Sequence, residues 1–137
     1  MKLLLIPFLV AGTLLAKDVK WETNLAAAQA RARKEHKVIF MDVWTEWCGW
    51  CIKLQRDTFP SPQAQEALAK VVPLSLKTQF KDGSPTADKG IEQTYKVEGF
   101  PALFILDENG KVLSQQPGYL PAAPFAEWIN KSASSKK

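Results

Sequence analysis

Cysteine and histidine are scarce: the 137 residues include two cysteines and one histidine. Two cysteines cannot build the multi-disulfide framework with which small secreted domains compensate for a modest core. Nor do they complete a tetrahedral zinc site with the single distant His36. The formal charge is +4, yet no run of five or six basic residues occurs. Lys and Arg alternate with Ala and Glu, which argues against nucleic acid as a partner. Repeats are absent. No apolar stretch reaches the ~20 residues of a bilayer-spanning helix. The longest, Leu3–Leu15, is 13 residues and is broken by Gly12 and Thr13. What is present suits one packed domain: 46% hydrophobic and 23% charged residues are ordinary globular values, which excludes whole-chain disorder.

The apolar run follows Met1-Lys2, the pattern of a secretory signal peptide covering residues 1–16, with cleavage expected after Ala16. No cysteine follows it, so no lipid-modified cysteine terminus is expected. The expected organisation is a signal peptide over 1–16, a folded domain over 17–131 and a flexible tail over 132–137. Export implies a periplasmic or secreted protein. It also sharpens the question of Cys48 and Cys51, which stand three apart. A bridge closing so small a loop constrains the unfolded chain little, so the pair suits chemistry better than stability.

Thr23 or Asn24 is a cap for a helix to about Glu35, with Leu25, Ala28 and Ala32 on one side. Lys37–Trp44 (KVIFMDVW) reads as a buried central strand. A helix is expected from Gly49 to about Thr58. A second runs from Pro62 to Lys70, with Ser61 as its cap. Val71–Leu76 reads as a strand, Thr78–Thr86 as an exposed loop, and Ala87–Tyr95 as a short helix. Ala102–Leu106 and Lys111–Gln115 form a hairpin around Asp107-Glu108-Asn109-Gly110. A closing helix spans Pro124–Lys131 with Phe125, Trp128 and Ile129 as its apolar face. This order predicts an α/β fold with a central mixed β-sheet flanked by helices on both faces.

Strand, Trp-Cys-x-x-Cys, helix, then x-Pro before a hairpin and a last helix resembles the thioredoxin fold. The resemblance covers about Lys20 to Lys131 and is carried by Asp42-Val43-Trp44-Thr45-Glu46-Trp47-Cys48-Gly49-Trp50-Cys51 with Pro101 downstream. A bare Cys-x-x-Cys also occurs in zinc sites, so the whole segment matters. Cys51–Phe59 and Ser61–Leu68 look like the C-terminal thioredoxin-like domain of bacterial thiol:disulfide interchange proteins. Three departures stand out. Gly49-Trp50 replaces the usual Gly-Pro, Gln55 stands where those domains are expected to carry an acid, and Phe100 replaces a smaller residue before the proline.

The resemblance implies a protein-disulfide oxidoreductase with protein thiols and disulfides as substrates, a membrane-bound thiol protein as candidate electron donor, and no cofactor or metal. Cys48, where the helix begins, is expected to be the exposed attacking sulfur with a lowered pKa, and Cys51 the buried resolving sulfur. Asp42 is a lone carboxylate in an apolar strand, so a raised pKa or a bound water is expected. The resemblance puts it beneath Cys51 as proton acceptor. It also implies a cis Pro101 and a Phe100 backbone able to pair with an extended substrate. Trp47, Gly49 and Trp50 complete the expected substrate contacts, and Glu46 lies exposed beside the motif. Trp44 and Trp128 are expected in the core. The default is a monomer. Two alternatives remain open: a thiol oxidase or isomerase of the same fold, and a non-enzymatic copper-carrying or partner-docking module.

Overall fold

The structure, a computed structural model, describes residues 19–135. The expected signal peptide and Lys136-Lys137 lie outside the described residues.

Helix α1 (Leu25–Glu35) starts where the Asn24 side chain accepts the Ala27 N–H at 3.0 Å, and it ends at His36 in the left-handed conformation. Strand β1 (Ile39–Thr45) is buried at every position except Trp44, as its β-branched and aromatic run requires. Helix α2 (Gly49–Lys53) continues into a π-helical turn over Leu54–Thr58, closed by the Phe59 N–H bonding to the Leu54 carbonyl at 3.0 Å. The expected helix is therefore one continuous piece whose second half is wider. That half buries Leu54 and Thr58.

Helix α3 (Pro62–Leu68) has Ser61 as cap and Pro62 in the first turn, where a missing N–H costs nothing. Strand β2 (Val72–Gln79) runs three residues past its expected end. Lys77 and Gln79 pair with Trp44 and Thr45 across a bulge, so the exposed loop begins only at Phe80. Helix α4 (Gly90–Thr94) is shorter than expected. Its approach is a tight turn in which Lys89 and Ile91 bond to the carbonyls three residues back. Strands β3 (Ala102–Leu106) and β4 (Val112–Pro117) form the hairpin. Gly110 takes φ 83°, and a Cβ there would come within 3.1 Å of Gln29 and Tyr95, so glycine is needed twice over. Helix α5 (Ala122–Ser134) begins two residues before and ends three residues beyond its expected limits. Pro124 fits because first-turn N–H groups need no partner within the helix.

The sheet order is β2-β1-β3-β4, with β1–β2 parallel and the other pairs antiparallel. It is the expected mixed sheet. On one face Ile39, Met41, Val43, Leu74 and Phe104 pack with Ala28 and Ala32 of α1, and Ile91 and Tyr95 from the α4 region join them. On the other, Phe40, Leu103 and Ile105 pack with Leu54, Leu68, Phe125 and Ile129. Phe40 is the hub of this second layer, with ring centroids of Trp21, Phe59, Phe125 and Trp128 between 5.2 and 6.0 Å away. Trp44 and Trp128 are half-buried, and each indole N–H reaches a serine hydroxyl, Ser75 and Ser114, at 2.9 Å. That polar demand is what keeps them at the margin of the core.

Candidate active site

β1 ends at Thr45, and the chain turns through Glu46-Trp47 into α2, with the Cys48 N–H bonding to the Thr45 carbonyl at 3.3 Å. Cys48 is the cap of α2. Its Sγ accepts the Cys51 N–H at 3.1 Å, and the two cysteines form a disulfide with Cα atoms 5.3 Å apart. The expected exposure of Cys48 is corrected here: it is 4% exposed, against 1% for Cys51. Bonded to Cys51 and folded back on its N–H, that of the third residue of α2, the sulfur of the disulfide state lies against the helix end instead of projecting from it. Gly49 next to it is exposed, and a Cβ there would meet nothing within 4 Å, so approach from that side is open.

Asp42 is 1% exposed, and neither carboxylate oxygen has a hydrogen-bond partner. Burial pushes its pKa up to about 8. Strand alternation puts it on the side of Phe40, the side that α2 and its π-helical turn cover through Leu54. In register it faces Ser75 of β2 and Leu103 of β3, neither of which offers a charge. The expectation of a raised pKa holds, and exposure on a solvent-facing strand side is excluded.

The Phe100–Pro101 bond is cis. Pro101, Phe100 and Trp50 line one cavity of about 310 Å³, together with Gly118 and Tyr119. Trp47 and Trp50 are 50% and 58% exposed. The Trp47 ring stands edge-on to Phe100 at 5.6 Å, and Trp50 packs on Tyr119 at 5.5 Å. Trp47 and Trp50, distant in sequence from Phe100 and Pro101, thus form with them one apolar rim beside the disulfide. Glu46 is half-buried instead of exposed because it is ion-paired to Lys77, whose ammonium holds its carboxyl below the usual range.

Two residues of the site carry no motif signal. Tyr119 supplies the far wall of the cavity from the β4–α5 connection. Gln79 accepts the Trp47 indole N–H at 2.9 Å and donates to Glu92 at 2.8 Å. Burial alone would raise the Glu92 carboxyl, but hydrogen bonds from Gln79, Lys89 and Thr78 bring it below its usual value. Sequence offers no clue to Gln79, which falls in the stretch that reads as an exposed loop. Among the described residues, no group of three or more His, Cys, Asp or Glu is arranged to hold a metal ion. No helix there is long and apolar enough to cross a membrane.

The thioredoxin-like domain family matches residues 25–133. The thiol:disulfide interchange protein DsbD of Actinobacillus pleuropneumoniae is 30% identical over 111 residues, 79% of this chain and 18% of that protein. DsbD of Haemophilus ducreyi is 29% identical over 97 residues, 69% of this chain and 16% of that protein. The chain therefore spans less than a fifth of the length of these curated relatives. Among solved structures, the oxidised C-terminal domain of Neisseria meningitidis DsbD has a TM-score of 0.67 at 22% identity, covering 82% of this chain and 99% of that one. A Thermus thermophilus thioredoxin has a TM-score of 0.69 at 18% identity, covering 83% and 86%. Both share the fold.

Proposed function

We propose that this chain, which belongs to the thioredoxin-like domain family, is an exported thiol:disulfide oxidoreductase that reduces or interchanges disulfides of protein substrates. The observation that carries this reading is the Cys48–Cys51 disulfide at the start of α2, on the sheet face where the buried Asp42 has no partner.

The chemistry follows from that arrangement. In the reduced protein the Cys48 sulfur sits at a helix start, where unpaired N–H groups and the helix dipole favour the thiolate. The thiolate attacks one sulfur of a substrate disulfide. A Cys48–substrate S–S bond forms, the substrate S–S bond breaks, and the departing sulfur takes the electron pair and then a proton. Cys51 then loses its proton to the Asp42 carboxylate. A carboxyl raised by burial to about 8 is a much stronger base than an ordinary carboxylate, which suits it to take a thiol proton. The Cys51 thiolate attacks Cys48 Sγ, restores the disulfide and releases the second substrate thiol. Two electrons have passed to the substrate. Trp47, Trp50, Phe100 and Pro101 supply an apolar contact for an extended segment.

Export is supported by the Met1-Lys2 charge and the Leu3–Leu15 apolar run. The DsbD relatives, named as thiol:disulfide interchange proteins, support an interchange role; a membrane thiol protein as electron donor and a monomeric carrier complete the proposal.

The test is trapping and potential together. Cys51→Ser is expected to accumulate a mixed disulfide with substrate on Cys48, visible on non-reducing gels, and Cys48→Ser to lose insulin reduction entirely. Insulin reduction that survives Cys48→Ser rejects the assignment. Equilibration in thiol/disulfide buffers fixes the direction. A potential near about −270 mV supports a reductant, and one near about −120 mV supports the oxidase alternative.

A further inference from the structure

The rim of the cavity beside Pro101 is electrically one-sided. Lys53, the last residue of α2, holds its Nζ 5.3 Å from the ring centroid of Trp50 and 5.1 Å from that of Tyr119. The two rings, 5.5 Å apart, wall the cavity of about 310 Å³. The ammonium is thus held at the lip by two ring faces. A lysine already ordered loses less side-chain freedom on meeting a partner.

Among the described residues no carboxylate forms an ion pair with Lys53. Asp57, one turn further on, is engaged by Arg56 through bonds of 2.9 and 3.0 Å, and Lys53 acts on it only at longer range. Across Pro101 a second hollow is lined by Lys96, Glu98 and Gln115, where both signs are present. Of these two hollows beside Pro101, the one walled by Trp50 and Tyr119 combines an apolar surface with a cation that has no carboxylate partner.

We propose that Lys53 is a specificity-determining residue that selects protein disulfides flanked by a carboxylate, Asp or Glu, on the side lying over Trp50 and Tyr119. The proposal rests on the oxidoreductase reading of the Cys48–Cys51 pair. The carboxylate takes no part in bond making. The same Cys48–substrate S–S bond forms and the same substrate S–S bond breaks, while the charge pair raises the encounter and holding of the segment.

The test uses the full chain, reduced and freed of reductant. It is mixed with disulfide-linked peptide dimers that differ only in Glu, Gln or Lys beside the half-cystine, placed before or after it. In one of the two placements the Glu peptide is expected to exchange about 5–10-fold faster than the Lys peptide at low ionic strength, a difference that shrinks with salt. Lys53→Arg keeps the order, Lys53→Gln flattens it and Lys53→Glu inverts it, all with an unchanged reduction potential. Equal rates for the three peptides in both placements overturn the proposal. So does a Lys53→Glu variant that keeps the wild-type order, or one that shifts the potential and slows every peptide alike. Exchange with no peptide at all rejects the oxidoreductase reading itself.

Discussion

Asp42 costs the folded protein stability, and the cost has a definite pH window. Its folded pKa of about 8 lies above its unfolded value, so the unfolded chain releases its proton first as pH rises. The stability tied to the neutral carboxyl is fully present below about pH 4 and is lost as pH climbs through about 8. The other shifted carboxylates, Glu35, Glu46, Asp57, Asp82 and Glu92, are all lowered and act in the opposite sense, below about pH 4.5. The interval from pH 5 to 8 therefore belongs to Asp42. Denaturant unfolding of the oxidised protein is expected to show a decline of about 3–4 kcal/mol across that interval, absent in Asp42→Asn. The same variant is expected to slow resolution of the Cys48 mixed disulfide by about 100-fold or more and to remove its rise with pH through about 8. Stopped-flow release of substrate thiol reads this. A variant that flattens the stability curve but leaves the resolving rate untouched would leave Asp42 a buried liability with no catalytic part.

Each element near the site is set by a local device, and the devices differ in what they control. Asn24 starts α1, which covers the sheet face opposite Phe40 and α2. Asn24→Ala is expected to lower stability by about 1 kcal/mol while the reduction potential and peptide exchange stay at wild-type values. Denaturation and potential measured on one sample separate the two effects. Such devices also decide what was legible in advance. Asn24, Ser61, Pro62 and the Asn109-Gly110 turn announce themselves because caps and turns use few residue types within a few positions. β1 and β3 read clearly because their apolar runs are dense, broken in β1 by Asp42 and unbroken in β3. The extra length of β2 did not, since Lys77, Thr78 and Gln79 look like loop residues until β1 and its bulge give them partners. The π-helical turn left no pattern, because Leu54 and Thr58 also fit an ordinary helix. Tyr119 and Gln79 enter the site by tertiary approach alone, and Lys53, though on α2 beside Cys51, is tied to the cavity only through the ring of Tyr119 and that of Trp50. Cys48 was expected in the open because a thiolate was pictured. The disulfide form folds its sulfur back against the Cys51 N–H.

At the scale of the whole molecule, the site is the seam between β1, β3 and the layer built on Phe40. β1 delivers Asp42 and the turn into Cys48, Pro101 immediately precedes β3, and the Phe40 layer holds α2 and its π-helical turn down on the sheet. A seam of this kind is expected to loosen as a unit, because Phe40 touches Trp21, Phe59, Phe125 and Trp128 at once. Phe40→Ala removes the shared partner and leaves a cavity, at a cost of about 3–5 kcal/mol. That is a large part of the 5–15 kcal/mol expected for a domain of this size. If the two layers form one cooperative unit, unfolding of Phe40→Ala followed by near-ultraviolet circular dichroism coincides with the denaturant dependence of disulfide accessibility to a phosphine reductant. Both midpoints then fall together relative to wild type. A disulfide that becomes reducible well before the aromatic signal is lost would mean that α2 opens on its own. The redox site would then be a locally unfolding flap on the sheet instead of a fixed part of the core.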